Sequence, residues 1–163
     1  LPELLSTEAR ERLVSYFEER FGLGTDVFHP FYMYAFKRQV FLFRRQEEMI
    51  PLPEGSFVRC GLPFVRLVAG YLKPTTVFLQ RFGQAGSQNT VSLEWKDVKA
   101  LCSAGEISLD KASMETGRLE PQGYVIIKAL GHVLGAGLLL EESRLLCRFP
   151  KAIRQALARI ATL

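Results

Sequence analysis

The chain has 163 residues, 48% of them hydrophobic and 23% charged, which excludes a disordered polymer and limits it to one compact domain or two small ones. No apolar run reaches the roughly 18–20 residues that span a bilayer as a helix, and the acidic, amphipathic start is unlike a signal peptide. The net charge of +4 and pI near 9.1 permit an anionic partner, and the charge is segregated: residues 1–30 carry −3, 31–81 carry +5, 82–142 carry −3 and 143–163 carry +5.

In chain order, the first predicted element is a helix from Ser6 to Phe21. Ser6 or Thr7 caps it, and Glu8 and Glu11 suit the positive end of its dipole. Ala9, Leu13, Phe17 and Phe21 recur every four residues, with Val14 beside them, and form one apolar face. Gly22 and Gly24 end it. Phe31 to Arg45 is dense in aromatic and β-branched residues and is interrupted by Lys37-Arg38-Gln39, the pattern of a β-hairpin. Pro51, Pro53 and Gly55 mark a loop, and a short strand falls within Phe57–Val68. Thr75 is the expected cap of a short helix through Phe82, stopped by Gly83 and Gly86.

The second half begins near residue 89. A strand is expected from Thr90 to Trp95, then a helix from Val98 to Ser103 capped by Asp97 and ended by Gly105. Glu106 to Pro121 is polar, with short strands and loops. Gly123–Leu130 and Val133–Leu140 read as two strands joined through Gly131-His132. Gly135 and Gly137 inside the second predict a bulge or the close approach of another backbone. Arg144–Phe149 is a further strand, and Pro150 opens a last helix through Ile160 at a first-turn position. The expectation is an α+β fold, with a helix-plus-hairpin module over 1–88 and a small mixed β-barrel with short helices over 89–163.

Catalytic and metal chemistry is not visible. His29 and His132 have no Cys or His neighbour at metal-ligand spacing. No nucleophile elbow or phosphate-binding glycine loop occurs, and no cofactor or metal site is expected. Cys60, Cys102 and Cys147 are odd in number and widely spaced, so a disulfide framework is not expected and a reducing, cytoplasmic setting fits. Arg59 and Arg148 adjoin Cys60 and Cys147 and could activate a thiol. The competing reading is a small buried apolar side chain. The chain starts at Leu1 rather than Met, which fits a fragment of a longer polypeptide.

Two basic blocks could carry binding. Arg144, Arg148, Lys151, Arg154 and Arg159 lie within sixteen residues without an acid. On the last helix, Ile153, Leu157 and Ile160 point one way and Lys151, Arg154 and Gln155 the other, so one face docks and the other presents cations to phosphates. A solvated helix face is the alternative. In the hairpin, Lys37, Arg38, Arg44 and Arg45 interleave with Phe31, Tyr32, Tyr34, Phe36, Phe41 and Phe43, a composition able to stack and clamp single-stranded RNA. Alternating aromatics are also ordinary strand core.

The run GYVIIKALGHVLGAGLLL followed by RLLCRFPKAIR resembles a PUA-like RNA-binding domain, with a Gly-led strand, a turn, a strand holding Leu134-Gly135 and Gly137, and a basic Pro150-Lys151 element. It is similar in particular to the carboxyl-terminal PUA-like region of the Sun/Fmu family of RNA cytosine-5 methyltransferases, whose ending carries Pro-Lys followed by Arg, here Pro150, Lys151 and Arg154. YLKPTTVFLQRFGQAGSQNTVSLEWKDVKALCSAGEI matches that family's layout upstream. The helix–hairpin start is similar to the pre-PUA module of Nip-type ribosome-biogenesis proteins. The family's cofactor sheet and Pro-Cys catalytic motifs have no counterpart here, so catalysis is not carried over.

The resemblance implies a pre-PUA module over 1–88 and a PUA-like domain over 89–163. It further implies binding of structured RNA, ribosomal or transfer, in ribosome biogenesis or RNA modification, with proteins of those processes as further partners and no membrane. The expected contacts are Lys128, Arg144, Arg148, Lys151 and Arg154, with Lys73 and Arg81 beside them. The alternatives are a protein-interaction adaptor using the aromatic hairpin, and the RNA-binding fragment of a larger RNA methyltransferase.

Overall fold

A computed structural model describes residues 2–45, 61–110, 119–120 and 122–160. Strand β1 (Glu3–Leu4) precedes helix α1 (Thr7–Phe21). Ser6 caps α1 by accepting the Ala9 N–H at 3.2 Å. Gly22 ends it in the left-handed conformation, φ 65°, donating its N–H to Glu18, a geometry glycine adopts without a Cβ penalty. Then come β2 (Phe31–Phe36) and β3 (Gln39–Arg44), paired antiparallel from Phe31↔Arg44 to Phe36↔Gln39 about a Lys37–Arg38 turn. β4 (Leu62–Val68) and β5 (Tyr71–Pro74) complete a five-stranded sheet ordered β1-β2-β3-β4-β5. The expected strand within 57–68 thus occupies its second part; residues 57–60, like Pro51, Pro53 and Gly55, lie outside the described residues.

Thr75 caps α2 (Thr76–Phe82) by accepting the Phe78 N–H at 3.2 Å. After it come β6 (Thr90–Ser92), α3 (Trp95–Ala104), β7 (Glu106–Ser108), β8 (Gly123–Ala129), β9 (His132–Leu140), β10 (Arg144–Cys147) and α4 (Lys151–Arg159). Helix α3 starts earlier than Asp97 predicts, because the cap is Glu94 and Asp97 sits in the first turn. An aspartate serves the helix dipole there as well, so the same residue fits both registers. Pro150 is the N-cap of α4 rather than its first helical residue.

The second sheet runs β6-β8-β9-β10-β7. β6 and β8 are parallel, the other pairs antiparallel, so the sheet is mixed. Among the described residues β6 and β7 are its edges. Ile127 pairs with Gly135 and Lys128 with Val133, leaving Leu134 as the extra residue of a bulge. The two glycines allow close packing. A Cβ at Gly135 would come within 2.8 Å of the Phe149 ring, and one at Gly137 within 2.7 Å of Ile127 and Leu145.

Each sheet is built from one side of residue 88, yet the halves share a core. Phe17, Phe21, Phe28, Phe64 and Phe78 of the first half cluster with Tyr124, Ile126, Val133 and Ala136 of the second. Phe17 is the hub, its ring meeting those of Tyr16, Phe21, Phe28, Phe64 and Phe78, with Phe64 at 4.6 Å, and such ring pairs contribute about 0.5–1.5 kcal/mol beyond area burial. A second cluster joins Val98, Leu101 and Cys102 of α3 to Val125, Ile127 and Leu139 of the second sheet, and α4 packs on it through Ile153, Leu157 and Ala158. No helix among the described residues is long and apolar enough to cross a membrane.

Candidate functional site

Three cations from both basic segments converge where the sheets meet. Arg66 and Lys73 are cross-strand partners in the β4–β5 hairpin. Arg148 follows β10, donating its backbone N–H to Ala136 at 3.2 Å. Lys73 is half-buried, and its pKa is lowered, first by burial and then by the charges of Arg148 and Arg66. Like charges placed directly opposite on a sheet destabilise it, and none of these three forms an ion pair among the described residues. Arg66 also lines a cavity of about 460 Å³ with Lys37 and Arg38 of the first hairpin turn. A cationic strip therefore runs from that turn through Arg66 and Lys73 to Arg148.

The other expected contacts are placed differently. Arg154 does not stand on the outward face of α4. Its Nε donates to the Cys102 carbonyl, and its guanidinium packs over Gly105, where a Cβ would lie 3.1 Å from Nη2. It thus satisfies a carbonyl that the end of α3 leaves open and opposes the negative end of that dipole. The docked face of α4 is rotated accordingly, and Ile160, expected to dock, is 41% exposed. Arg144 pairs with Glu106 at 2.8 Å across β10 and β7, which raises its pKa through that hydrogen bond and charge. Lys128 donates to the Gln84 carbonyl at 3.4 Å, and burial lowers its pKa. Arg81 lies over the Phe82 ring, 5.6 Å from the centroid. Lys151 is exposed at the start of α4. The structure thus brings together Lys73 and Arg148 of the expected set and adds Arg66. The register of β4 against β5 is the signal that exposes Arg66, and an unresolved strand boundary hides it in the sequence.

A polar network at the same seam was not foreseeable from spacing. Arg20 is only 9% exposed. Its Nε donates to the Tyr124 carbonyl at 2.9 Å and its Nη1 to Glu120 Oε2 at 2.8 Å. Asn89 Nδ2 donates to the Arg20 carbonyl, and Asn89 Oδ1 accepts the Glu120 N–H at 2.8 Å. These partners lie 31 to 104 residues apart, so no local pattern marks them. The network borders a cleft of about 700 Å³ lined by residues of α1, β5, β8 and β9.

The hairpin aromatics divide between roles. Met33, Phe41 and Leu42 are buried. Tyr34 meets Phe43 edge-on at 5.5 Å, and Arg45 lies 5.0 Å over Tyr32. Cys102 and Cys147 are both buried free thiols. Burial, and then Cys147 beside it, push the Cys102 thiol up to about 11, so it is not an activated nucleophile. Cys60 lies outside the described residues.

Neither a protein-family model nor a curated protein matches the chain. Solved structures do. A conserved PUA domain protein from Thermoplasma acidophilum superposes with a TM-score of 0.57 at 12% identity, covering 95% of this chain and 99% of that one. A hypothetical protein from the hyperthermophilic archaeon Pyrococcus horikoshii superposes with a TM-score of 0.53 at 10% identity, covering 95% of this chain and 87% of its own. The chain thus has a PUA-like α+β fold, similar over nearly its whole length to both proteins.

Proposed function

We propose that the chain binds structured RNA, ribosomal or transfer, through the strip formed by Arg66, Lys73 and Arg148, with Lys37, Arg38 and Lys151 as flanking phosphate contacts. The observation that carries this reading is the convergence of Arg66, Lys73 and Arg148, from both basic segments, with no ion pair to them among the described residues. Such an arrangement is unfavourable in isolation and is relieved by polyanionic phosphate. The PUA-like fold and the resemblance to RNA methyltransferase and ribosome-biogenesis proteins support placing it in RNA modification or ribosome biogenesis, with proteins of those processes as partners. Arg154 and Arg144 have intramolecular partners, and they serve the fold first.

Phosphate contacts set a salt dependence of roughly 0.7–0.9 log units in affinity per contact. Lys73→Glu with Arg148→Glu removes two, so the salt slope should flatten by roughly 1.4–1.8. Lys96, on α3 and paired with Glu94 at 3.0 Å, supplies a control whose reversal leaves the slope unchanged. Unaltered affinity and slope in a folded Lys73→Glu/Arg148→Glu protein would refute the assignment.

A further inference from the structure

The cationic strip ends at the Lys37–Arg38 turn, and that turn is built against local preference. Lys37 adopts φ 55°, the left-handed region that hairpin turns give to Asn, Asp or Gly. Arg38 follows it, so two cations stand where a small polar residue would fold more easily. Backbone held in a sparsely populated region recurs at ligand clamps and active sites.

The cavity of about 460 Å³ beside the turn is lined by Phe36, Lys37, Arg38, Gln39, Phe41 and Arg66. Small-ligand sites usually measure about 300–1,000 Å³. Phe36 pairs with Gln39, Gln39 with Arg66 and Arg66 with Lys73. The four residues therefore form one row on one face of the first sheet, about 14 Å long over three strand spacings. Arg66 belongs to the strip and to the pocket at once. The Arg38 carbonyl accepts the Leu67 N–H at 2.8 Å, which ties the turn to β4 and holds its cations near Arg66. Phe41 is 6% exposed and gives the cavity an apolar floor. Phe36 is half-buried, with Lys37 Nζ 5.3 Å from its ring centroid. Among the described residues no carboxylate lines the cavity, and none of its three cations has an ion pair or a side-chain hydrogen bond.

We infer that this pocket holds the phosphorylated end of an RNA strand, with the terminal phosphate between Lys37, Arg38 and Arg66 and the terminal nucleoside against Phe36 and Phe41. This rests on the RNA-binding reading and names the part of the RNA that the turn end of the strip takes. An internal phosphodiester carries one negative charge, fewer than three converging cations can neutralise. A phosphate monoester carries about −1.5 to −2 near pH 7 and presents three strong acceptor oxygens, one for each cation. Every base has a face that stacks on an aromatic ring, so the pocket reads the end of the strand and not its sequence. The Gln39 amide, between Phe36 and Arg66 in the row, offers a donor and an acceptor to the sugar hydroxyls.

The test compares one RNA hairpin made with a 5′ or a 3′ single-stranded tail that ends in phosphate or in hydroxyl. A single charge-assisted hydrogen bond is worth about ten-fold in affinity, so wild-type protein should bind one of the phosphate-ended forms at least about ten-fold more tightly than its hydroxyl-ended twin. Lys37→Asn with Arg38→Gln suits the left-handed turn better than the natural pair, so Tm should not fall, and the preference for phosphate should vanish. Arg148→Glu, outside the pocket, should weaken both forms and keep the preference. Adenosine 5′-monophosphate should shift the NMR amide signals of Lys37 to Gln39, and adenosine at the same concentration should not. Equal binding of phosphate and hydroxyl ends for both tails, with Arg148→Glu still weakening all of them, overturns the end site and leaves the RNA reading standing. A preference that survives Lys37→Asn/Arg38→Gln overturns the pocket as its source. No binding of any RNA overturns both readings, and mononucleotide shifts in that case would make a free nucleotide the occupant.

Discussion

Replacing Arg20 with Met tests whether the seam between the two sheets is held by polar contacts or by apolar packing alone. Met keeps the aliphatic stem and removes the guanidinium. Two charge-assisted hydrogen bonds disappear, to the Tyr124 carbonyl and to Glu120. The first is buried, and a bond of that class stabilises by about 1.5–3 kcal/mol. The second ends on a carboxylate 41% exposed, so solvent screening reduces it to about 0–1 kcal/mol. The expected loss is about 3 kcal/mol. For a chain of this size that lowers Tm by about 6–12 °C. Calorimetry and urea unfolding measure it, and a double-mutant cycle with Glu120→Gln isolates the ion pair. Desolvating a guanidinium is itself costly, and apolar replacements of buried ions are sometimes neutral or stabilising. An unchanged or higher Tm in Arg20→Met would show that this cost cancels the bonds, and the account of the seam as a polar weld would fail.

Alkaline pH should destabilise the protein in a defined window. Cys102 is pushed up to about 11 and Tyr16 to about 12, in both cases chiefly by burial. The unfolded thiol and phenol ionise near about 8.5 and 10, so the unfolded chain releases protons first and stability falls as pH rises from about 8.5 to 12. Cys102→Ala should flatten the lower part of that decline in thermal melts; an equally steep fall would exclude the thiol as its source. Separating the halves should also be informative. A fragment of residues 89–163 exposes Tyr124, Ile126, Val133 and Ala136 of the shared core, and we expect no cooperative melt by circular dichroism. A sharp transition would establish the second half as an autonomous domain.

Local chemistry made much of the architecture readable. Ser6 and Gly22 bracket α1 because one accepts an orphan N–H and the other tolerates left-handed backbone. Thr75 does the same for α2. The aromatic hairpin is set by its alternation and polar turn. Gly135 and Gly137 announce close packing because a side chain there would collide with Phe149, Ile127 or Leu145. Register and long-range partners were not readable. Arg66 meets Lys73 only once β4 and β5 are paired. On the helical wheel Arg154 lies about 60° from Leu157 and about 100° from Ile153, at the border of the docked face, and the end of α3 captures it there through Cys102. The wheel describes one helix, and the carbonyls of a neighbouring helix are not on it.

The same distinction bears on how the proposed strip draws on both basic segments. Charge counted along the chain shows where cations are abundant, but a cation paired inside the fold is weakened as a phosphate contact, as Arg144 is by Glu106. What separates Lys73 and Arg148 from Arg144 and Arg154 is the absence of an anion or carbonyl partner among the described residues, together with a second cation opposite. A like-charge pair in a hairpin lowers stability by some tenths of a kcal/mol, and phosphate neutralises it. Because Lys73 comes from one half and Arg148 from the other, and Asn89, Arg20 and Glu120 join α1 to the second sheet, the proposed strip depends on both halves being docked.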